Sequence, residues 1–261
     1  VDGMNWLTNH QSELSIYTPV KLDQDLLELK QHRHLLNSFD NEFLSQVQQV
    51  TKKIAIFETE NYVELLERFP YHDYPLNQIS GNHLNIIEFL NDVHPIRDEG
   101  EALAYLDRLK MLDDSFAGTL AILKKQSERG IFPPQFVFAH LENQIKDFLE
   151  QPLAENPLYS VYVEKLGELD LSEKKKREYA VKAGELIEGP VSSGYRGLLE
   201  YVLTSRQYAN PHDGVWSLPE GNDYYALMLR MRTTTDYSAE EIHQMGLDEV
   251  ERIENRMSGL L

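Results

Sequence analysis

A carboxylate and an imidazole spaced three residues apart form the clearest chemical pattern in the sequence. Glu240-x-x-His243 would place both side chains on one face of a helix, as in carboxylate-bridged di-iron bundles. Those bundles need a second such pair, and the sequence contains none. A zinc peptidase would need His-Glu-x-x-His, and no His-Glu dipeptide is present. The pattern therefore favours a glutamate at a helix start and a histidine in the core.

Four residues in the C-terminal part of the sequence are candidates for substrate binding: Trp216, Tyr224, Arg230 and His243. Tyr224 and Arg230 belong to a segment whose apolar residues fall on every side of a helix, so we expect protein to surround that helix. An enclosed guanidinium needs a carboxylate, a carbonyl or a ligand, and the same holds for Arg232. His243 continues the apolar stripe of the next helix and is expected to face inward.

Each of these candidates also has a structural interpretation. Trp216 could line a pocket, although a role as an anchor for its loop is favoured. Tyr224, Arg230 and His243 could donate hydrogen bonds to a substrate carbonyl or carboxylate, or could have only a structural role in the core. His72, His83 and His94 lie in a segment rich in Pro, Gly and Asn, where three imidazoles could converge on a metal. Scattered loop polarity explains these three histidines better.

Composition excludes several classes of function. The chain has 25 basic and 43 acidic residues, a formal net charge of −18, which argues against nucleic acid and anionic membranes as partners. No run approaches the length of a transmembrane segment, and VDGMNWLTNH has no signal-peptide pattern, so we expect a soluble chain whose compartment stays open. With no cysteine, thiolate nucleophiles and Cys-ligated zinc are excluded. Phosphate-binding loops and the Gly-x-Ser-x-Gly elbow are also absent.

Apolar residues at helical spacing predict an all-α fold with about ten helices in an irregular array. No convincing alternating strand or fixed-period repeat is present. Residues 1–37 are predicted to be an irregular lead-in with a short helix around 24–30, and residues 38–261 to be one large helical domain. Stripes that support the helices include Phe43, Val47, Val50 and Ile54; Phe138, Leu141, Ile145 and Phe148; and Val250, Ile253, Met257 and Leu260.

Several short motifs, in this order and spacing, resemble the bacterial domain-of-unknown-function family 885. The resemblance covers 40–257, and its motifs include YPLNQ with Gly81, FL, HP, AYLxRL and GIFPP, then GxWxLPxGxxY, TT and EIHxxGLxEV. The resemblance implies a mostly helical protein similar to zinc metallopeptidases, often exported or lipid-anchored in bacteria. It also implies members longer than this chain, with the metal motif C-terminal to the block present here. No metal-ligand position of the family maps onto this sequence, so we expect no cofactor within the chain and zinc only in a full-length protein.

These observations lead to a hypothesis about function. The chain is interpreted as the helical, cleft-forming portion of a zinc-dependent peptidase. Its own residues would bind and orient a peptide substrate, and the C-terminal remainder of the same protein would hold the zinc ion. By itself, this segment is expected to be inactive. The alternative is a non-enzymatic binding or scaffold protein of the cell envelope. The expected location is the bacterial cell envelope or the exterior, with a cytoplasmic location left open.

Overall fold

A computed structural model describes residues 13–14 and 16–260 of the chain. The all-α prediction is confirmed, since no strand forms within those residues and a single isolated bridge pairs Pro134 with Asn210. The helices are α1 (Pro19–Ser38), α2 (Gln46–Arg68), α3 (Asn82–Glu88), α4 (Glu99–Lys110), α5 (Leu112–Glu128), α6 (Gln135–Glu150), α7 (Pro157–Gly167), α8 (Glu173–Leu186), α9 (Ser192–Ser205), α10 (Gly221–Thr233) and α11 (Ala239–Ser258).

The described residues form two compact units. The first contains the residues as far as Leu22 together with Asp73–Asp213, and the second contains Asp23–His72 together with the residues from Gly214 onward. The short helix predicted around 24–30 is longer than expected, since α1 runs for 20 residues. None of the described helices has the length and apolar content that a membrane span requires.

The first unit is built around α9, which packs against α5 and α6. Its Tyr195 ring stacks on Phe148 of α6 with centroids 3.8 Å apart, and meets the edge of Phe116 of α5 at 4.9 Å. The predicted stripe on α6 is buried as expected. Gly130, which has φ 71°, follows the end of α5, where a left-handed backbone favours glycine. A π-helical turn at Ile187–Val191 joins α8 to α9, with a non-helical backbone at Gly189.

The second unit has a small core. Its α2 begins with a capping box, in which Ser45 accepts from the backbone N–H of Gln48 and the Gln48 side chain accepts from the backbone N–H of Ser45. The helix runs from Gln46 to Arg68 and ends before Pro70. Helix α10 packs against α2. The buried apolar side chains of this unit come from the last part of α2, the residues that follow it and α10: Val63, Phe69, Tyr71, Leu218 and Leu227.

Two burial predictions for the second unit are wrong within the described residues. Helix α10 buries only Gly221 and Leu227, so protein does not enclose it. The stripe of Phe43, Val47, Val50 and Ile54 is exposed. Spacing identifies which face of a helix is apolar, but it does not establish that another element covers that face.

Candidate functional site

One face of α2 positions the polar side chains of the candidate site. Asn61, Glu64 and Arg68 are separated by three and four residues, so they lie on the same side of the helix. Asn61 is buried and Glu64 is half-buried. This polar row meets α10, which carries Arg230. The same three-four spacing was available in the sequence as a signal, but polar residues at that spacing are also typical of a solvated helix face.

Two groups of α2 hold the guanidinium of Arg230. Its Nε donates to Oδ1 of Asn61 at 2.7 Å, and its Nη2 donates to a carboxylate oxygen of Glu64. The side chain of Arg230 is 33% exposed. The sequence suggested a carboxylate, a carbonyl or a ligand as partner for an enclosed arginine; Arg230 is only partly enclosed, and it pairs with the carboxylate of Glu64 and the amide oxygen of Asn61. Two of its five N–H donors are engaged by described residues, and solvent reaches the group.

Arg68 links the same cluster to the start of α10. Its Nη1 donates to Glu64 at 3.2 Å, and its Nη2 donates to Asp223 at 2.6 Å and to Glu220 at 3.2 Å. The hydrogen bond to Asp223 is the largest cause that raises the pKa of Arg68 above its ordinary value. The cluster thus combines two arginines with three carboxylates, which leaves a formal surplus of one negative charge.

An aromatic group borders the charged cluster. The ring of Tyr224 lies 5.6 Å from Phe69 and 5.1 Å from His72, measured between centroids. Nε2 of His72 lies 2.7 Å from the carbonyl oxygen of Pro219, which can only accept, so Nε2 carries the proton. Nδ1 of this buried imidazole has no hydrogen-bond partner among the described residues. His72 was not among the substrate-binding candidates in the sequence because nothing in its neighbourhood predicted contact with Tyr224.

Both ends of α10 have a left-handed backbone at a residue other than glycine. Glu220, the N-cap, has φ 51°, and Thr234, the C-cap, has φ 55°. Such conformations are uncommon for residues with a Cβ, and least favourable for β-branched ones. At the N-terminal end, a Cβ on Gly221 would lie 2.0 Å from the carbonyl oxygen of Val215, so only glycine fits there. The turn that precedes α10, and so positions Asp223 and Tyr224, therefore requires glycine at position 221.

The other two predicted site residues lie elsewhere. His243 is exposed on α11, so the prediction of an inward imidazole is wrong, and no hydrogen bond or ring contact among the described residues joins it to the cluster. The apolar stripe that it extends is itself exposed, which is the physical reason. Trp216 is 61% exposed, in the short helical turn Val215–Ser217. Its indole lies against Gly214, where a Cβ would be 2.1 Å from Nε1.

His94, in the first unit, forms a buried pair with Arg108 that the sequence did not predict. Nε2 of His94 lies 3.0 Å from the carbonyl oxygen of Glu101, so that nitrogen carries the proton and Nδ1 accepts from Nη1 of Arg108. The fully buried Arg108 also donates to the carbonyl of Glu13 at 3.0 Å and lies over the Phe89 ring at 4.8 Å. Burial, aided by the nearby guanidinium, lowers the pKa of His94 from 6.5 to about 4.

The histidines do not fit a zinc site. Among the described residues, no three His, Cys, Asp or Glu side chains are grouped so that they could hold a metal ion. Both ring nitrogens of His94 are engaged, and Nε2 of His83 lies 3.1 Å from Oε1 of Gln144. Burial lowers the pKa of His83. His72, His83 and His94 are all buried, so they are not the exposed polar residues that an irregular segment would suggest.

A surface cleft of about 470 Å³ lies between α4 and α8 in the first unit. Its lining combines apolar or aromatic side chains with charged ones: Leu103, Leu106, Val181, Tyr179, Asp107, Lys110, Glu178, Lys182 and Glu185. The two lysines pair with neighbours on their own helices, Lys110 with Asp107 at 2.6 Å and Lys182 with Glu185 at 3.3 Å. The cleft thus has a mixed apolar and charged lining, and both of its lysines are paired with carboxylates.

The sequence matches a known family over nearly its whole length. Residues 3–261 match the family described as bacterial protein of unknown function, DUF885. The chain belongs to this family. No curated protein matches the chain. Residues that carried the resemblance meet in the first unit of this DUF885 chain, since His94 of the HP motif contacts Arg108 of AYLxRL.

A solved structure has the same fold. It is the crystal structure of a protein described as "the putative lipoprotein from Colwellia psychrerythraea", with 22% sequence identity and a TM-score of 0.86. The match covers 95% of this chain and 44% of that chain. The DUF885 chain described here therefore spans less than half the length of that protein.

Proposed function

We propose that this chain forms the helical, substrate-binding portion of a zinc-dependent peptidase, whose metal ligands come from polypeptide outside residues 1–261. The observation that carries the proposal is the position of Arg230. Asn61 and Glu64 fix its guanidinium, while solvent still reaches the side chain. A donor that is oriented before the substrate arrives loses little conformational entropy on binding, which is the usual benefit of preorganisation.

The charge of the cluster favours a particular acceptor. Two arginines face three carboxylates, so the formal charge around Arg230 is negative. A free substrate carboxylate would be repelled by that surplus, whereas a neutral peptide carbonyl would not. We therefore assign Arg230 to a backbone carbonyl within a peptide, and Tyr224, six residues earlier on α10 against Phe69 and His72, to an apolar contact with the same peptide. Proton transfer is not assigned to this cluster.

Substitution of Arg230 tests the proposal in a family-length polypeptide, meaning this chain with the sequence that its gene encodes beyond Leu261. Arg230→Ala should lower kcat/KM for an internal peptide bond by about 10-fold to 100-fold, the range for a lost hydrogen bond to a charged donor. Arg232→Ala is the matched control, because Arg232 lies on the same helix and is exposed. Unchanged kinetics in a folded Arg230→Ala variant would remove this residue from substrate binding.

Metal content tests the rest of the proposal. The family-length polypeptide should bind about one zinc ion, the number that a mononuclear peptidase site requires. The 261-residue chain should bind none, since the described residues offer no suitable group. A family-length polypeptide that binds no zinc and cleaves no peptide would instead support the alternative, a binding or scaffold protein of the cell envelope.

The similarity to a protein described as a lipoprotein supports a location in the bacterial cell envelope. We propose that the family-length protein is exported and held there by a lipid. Incorporation of labelled palmitate into the protein in growing cells, together with recovery in the membrane fraction, would support this. Recovery only from the cytoplasm would refute it.

A further inference from the structure

Helix α11 has an apolar face that none of the described residues buries. The face consists of Ile242, Val250, Ile253 and Met257, which follow helical spacing with Gly246 completing the row; Leu260, two residues past the helix end, extends it, and it is called the α11 face below. Val250 is 54% exposed, Ile253 44% and Met257 61%. Helix α11 as a whole buries no residue. An apolar row of this length on a helix is typical of a surface that packs against another element.

Local interactions do not explain why α11 needs that face. A capping box starts the helix, since Ser238 accepts from the N–H of Glu241 and the Glu241 carboxylate accepts from the N–H of Ser238. A capping box favours helix formation whether or not the turns that follow it contain apolar residues. A 20-residue helix in water is nevertheless marginal without tertiary packing. The apolar row therefore gives α11 stability only when another element covers it.

The charge of α11 limits which kinds of partner could cover the α11 face. The helix carries six carboxylate side chains and two arginines. Helices that lie on anionic membranes are instead rich in Lys and Arg on their polar face. A second copy of the chain would bring two acidic helices together, in a protein with a formal net charge of −18. Both a lipid surface and self-association are therefore disfavoured, and an occupant with basic residues is favoured.

The length of the solved relative leaves room for such an occupant outside residues 1–261. The match uses 95% of this chain but only 44% of the relative, so more than half of that protein has no counterpart here. We infer that the α11 face binds an amphipathic helix formed by family sequence that follows Leu261, with Lys or Arg beside its apolar residues. This inference does not depend on peptidase activity.

Hydrogen exchange tests the inference on the family-length polypeptide and on the 261-residue chain. Amides of α11 should exchange about 100-fold more slowly in the family-length polypeptide, because packing suppresses local opening. Amides of α9, which lies in the buried part of the first unit, serve as the internal reference in both proteins. Equal exchange of α11 in the two proteins would overturn the inference. A gene that encodes no sequence after Leu261 would also overturn it.

A matched pair of variants separates the face from the helix. Ile253→Glu and Asn255→Glu add the same charge to α11, but position 255 points away from the face. In the family-length polypeptide, Ile253→Glu should speed exchange of α11 by at least about 10-fold while Asn255→Glu leaves it unchanged. Equal effects would count against the face. If the protection of α11 amides rises with the concentration of the 261-residue chain, the face binds a second copy. If the chain binds phosphatidylglycerol vesicles through α11, the face binds a membrane. Either result overturns the inference.

Discussion

Acidification should destabilise the first unit through His94. The buried imidazole is neutral, with Nδ1 accepting from Arg108 and Nε2 donating to the Glu101 carbonyl. Protonation would place a proton on Nδ1, against the guanidinium. Because the folded pKa of about 4 lies below the ordinary 6.5, the unfolded chain binds the proton more tightly between those values. The contribution to stability is therefore complete above pH 6.5 and is lost as the pH falls toward 4.

The pKa shift sets the size of the effect. The difference between 6.5 and about 4 corresponds to about 3 kcal/mol of unfolding free energy, most of which is gone by pH 4.5. His94→Asn provides the comparison, because an amide oxygen can accept from Arg108 and does not titrate. This variant loses the bond from Nε2, but that cost does not depend on pH.

Urea unfolding of both proteins at steps between pH 7.5 and pH 4.5, followed by circular dichroism, measures the effect. Hydrogen exchange of α4 amides reports on the first unit separately. The wild-type protein should lose about 2 to 3 kcal/mol more than His94→Asn across this range. Carboxylates remote from position 94 titrate alike in both proteins, so their effects cancel in the difference. Parallel loss of stability in the two proteins would refute the reasoning about the buried imidazole.

Backbone geometry leads to two further predictions. Thr234→Gly should stabilise the second unit by about 1 kcal/mol, because a Cβ is unfavourable at φ 55°. Thr235→Gly, the control, should destabilise the unit. If thermal unfolding ranks the two variants the other way, the left-handed backbone at Thr234 does not cost stability. Gly194→Ala should destabilise the first unit by about 1 to 3 kcal/mol, because its Cβ would lie 2.5 Å from the Phe116 ring. Gly167→Ala, with no atom within 4 Å of its Cβ, should cause no loss.

Part of the candidate site could be predicted from the sequence. Arg230 lies on a helix rich in apolar residues, and the need of a guanidinium for a partner followed from desolvation alone. The identity of that partner did not follow, because Asn61 and Glu64 are about 170 positions away along the chain. The same limit applies to Arg108 and His94, where both residues occur in recognised motifs but nothing in the sequence indicates that their side chains meet.

The sequence by itself determined the all-α fold class and the family, although it underestimated the length of α1. Apolar spacing, capping residues such as Ser45 and Ser238, and Gly and Pro at helix ends are local signals, so the helices follow from them. Burial was decided only by the tertiary structure. Two stripes of similar spacing, on α6 and on α11, are buried in one case and exposed in the other. The physical reason is that periodicity describes one helix, whereas burial depends on a second element that packs against it.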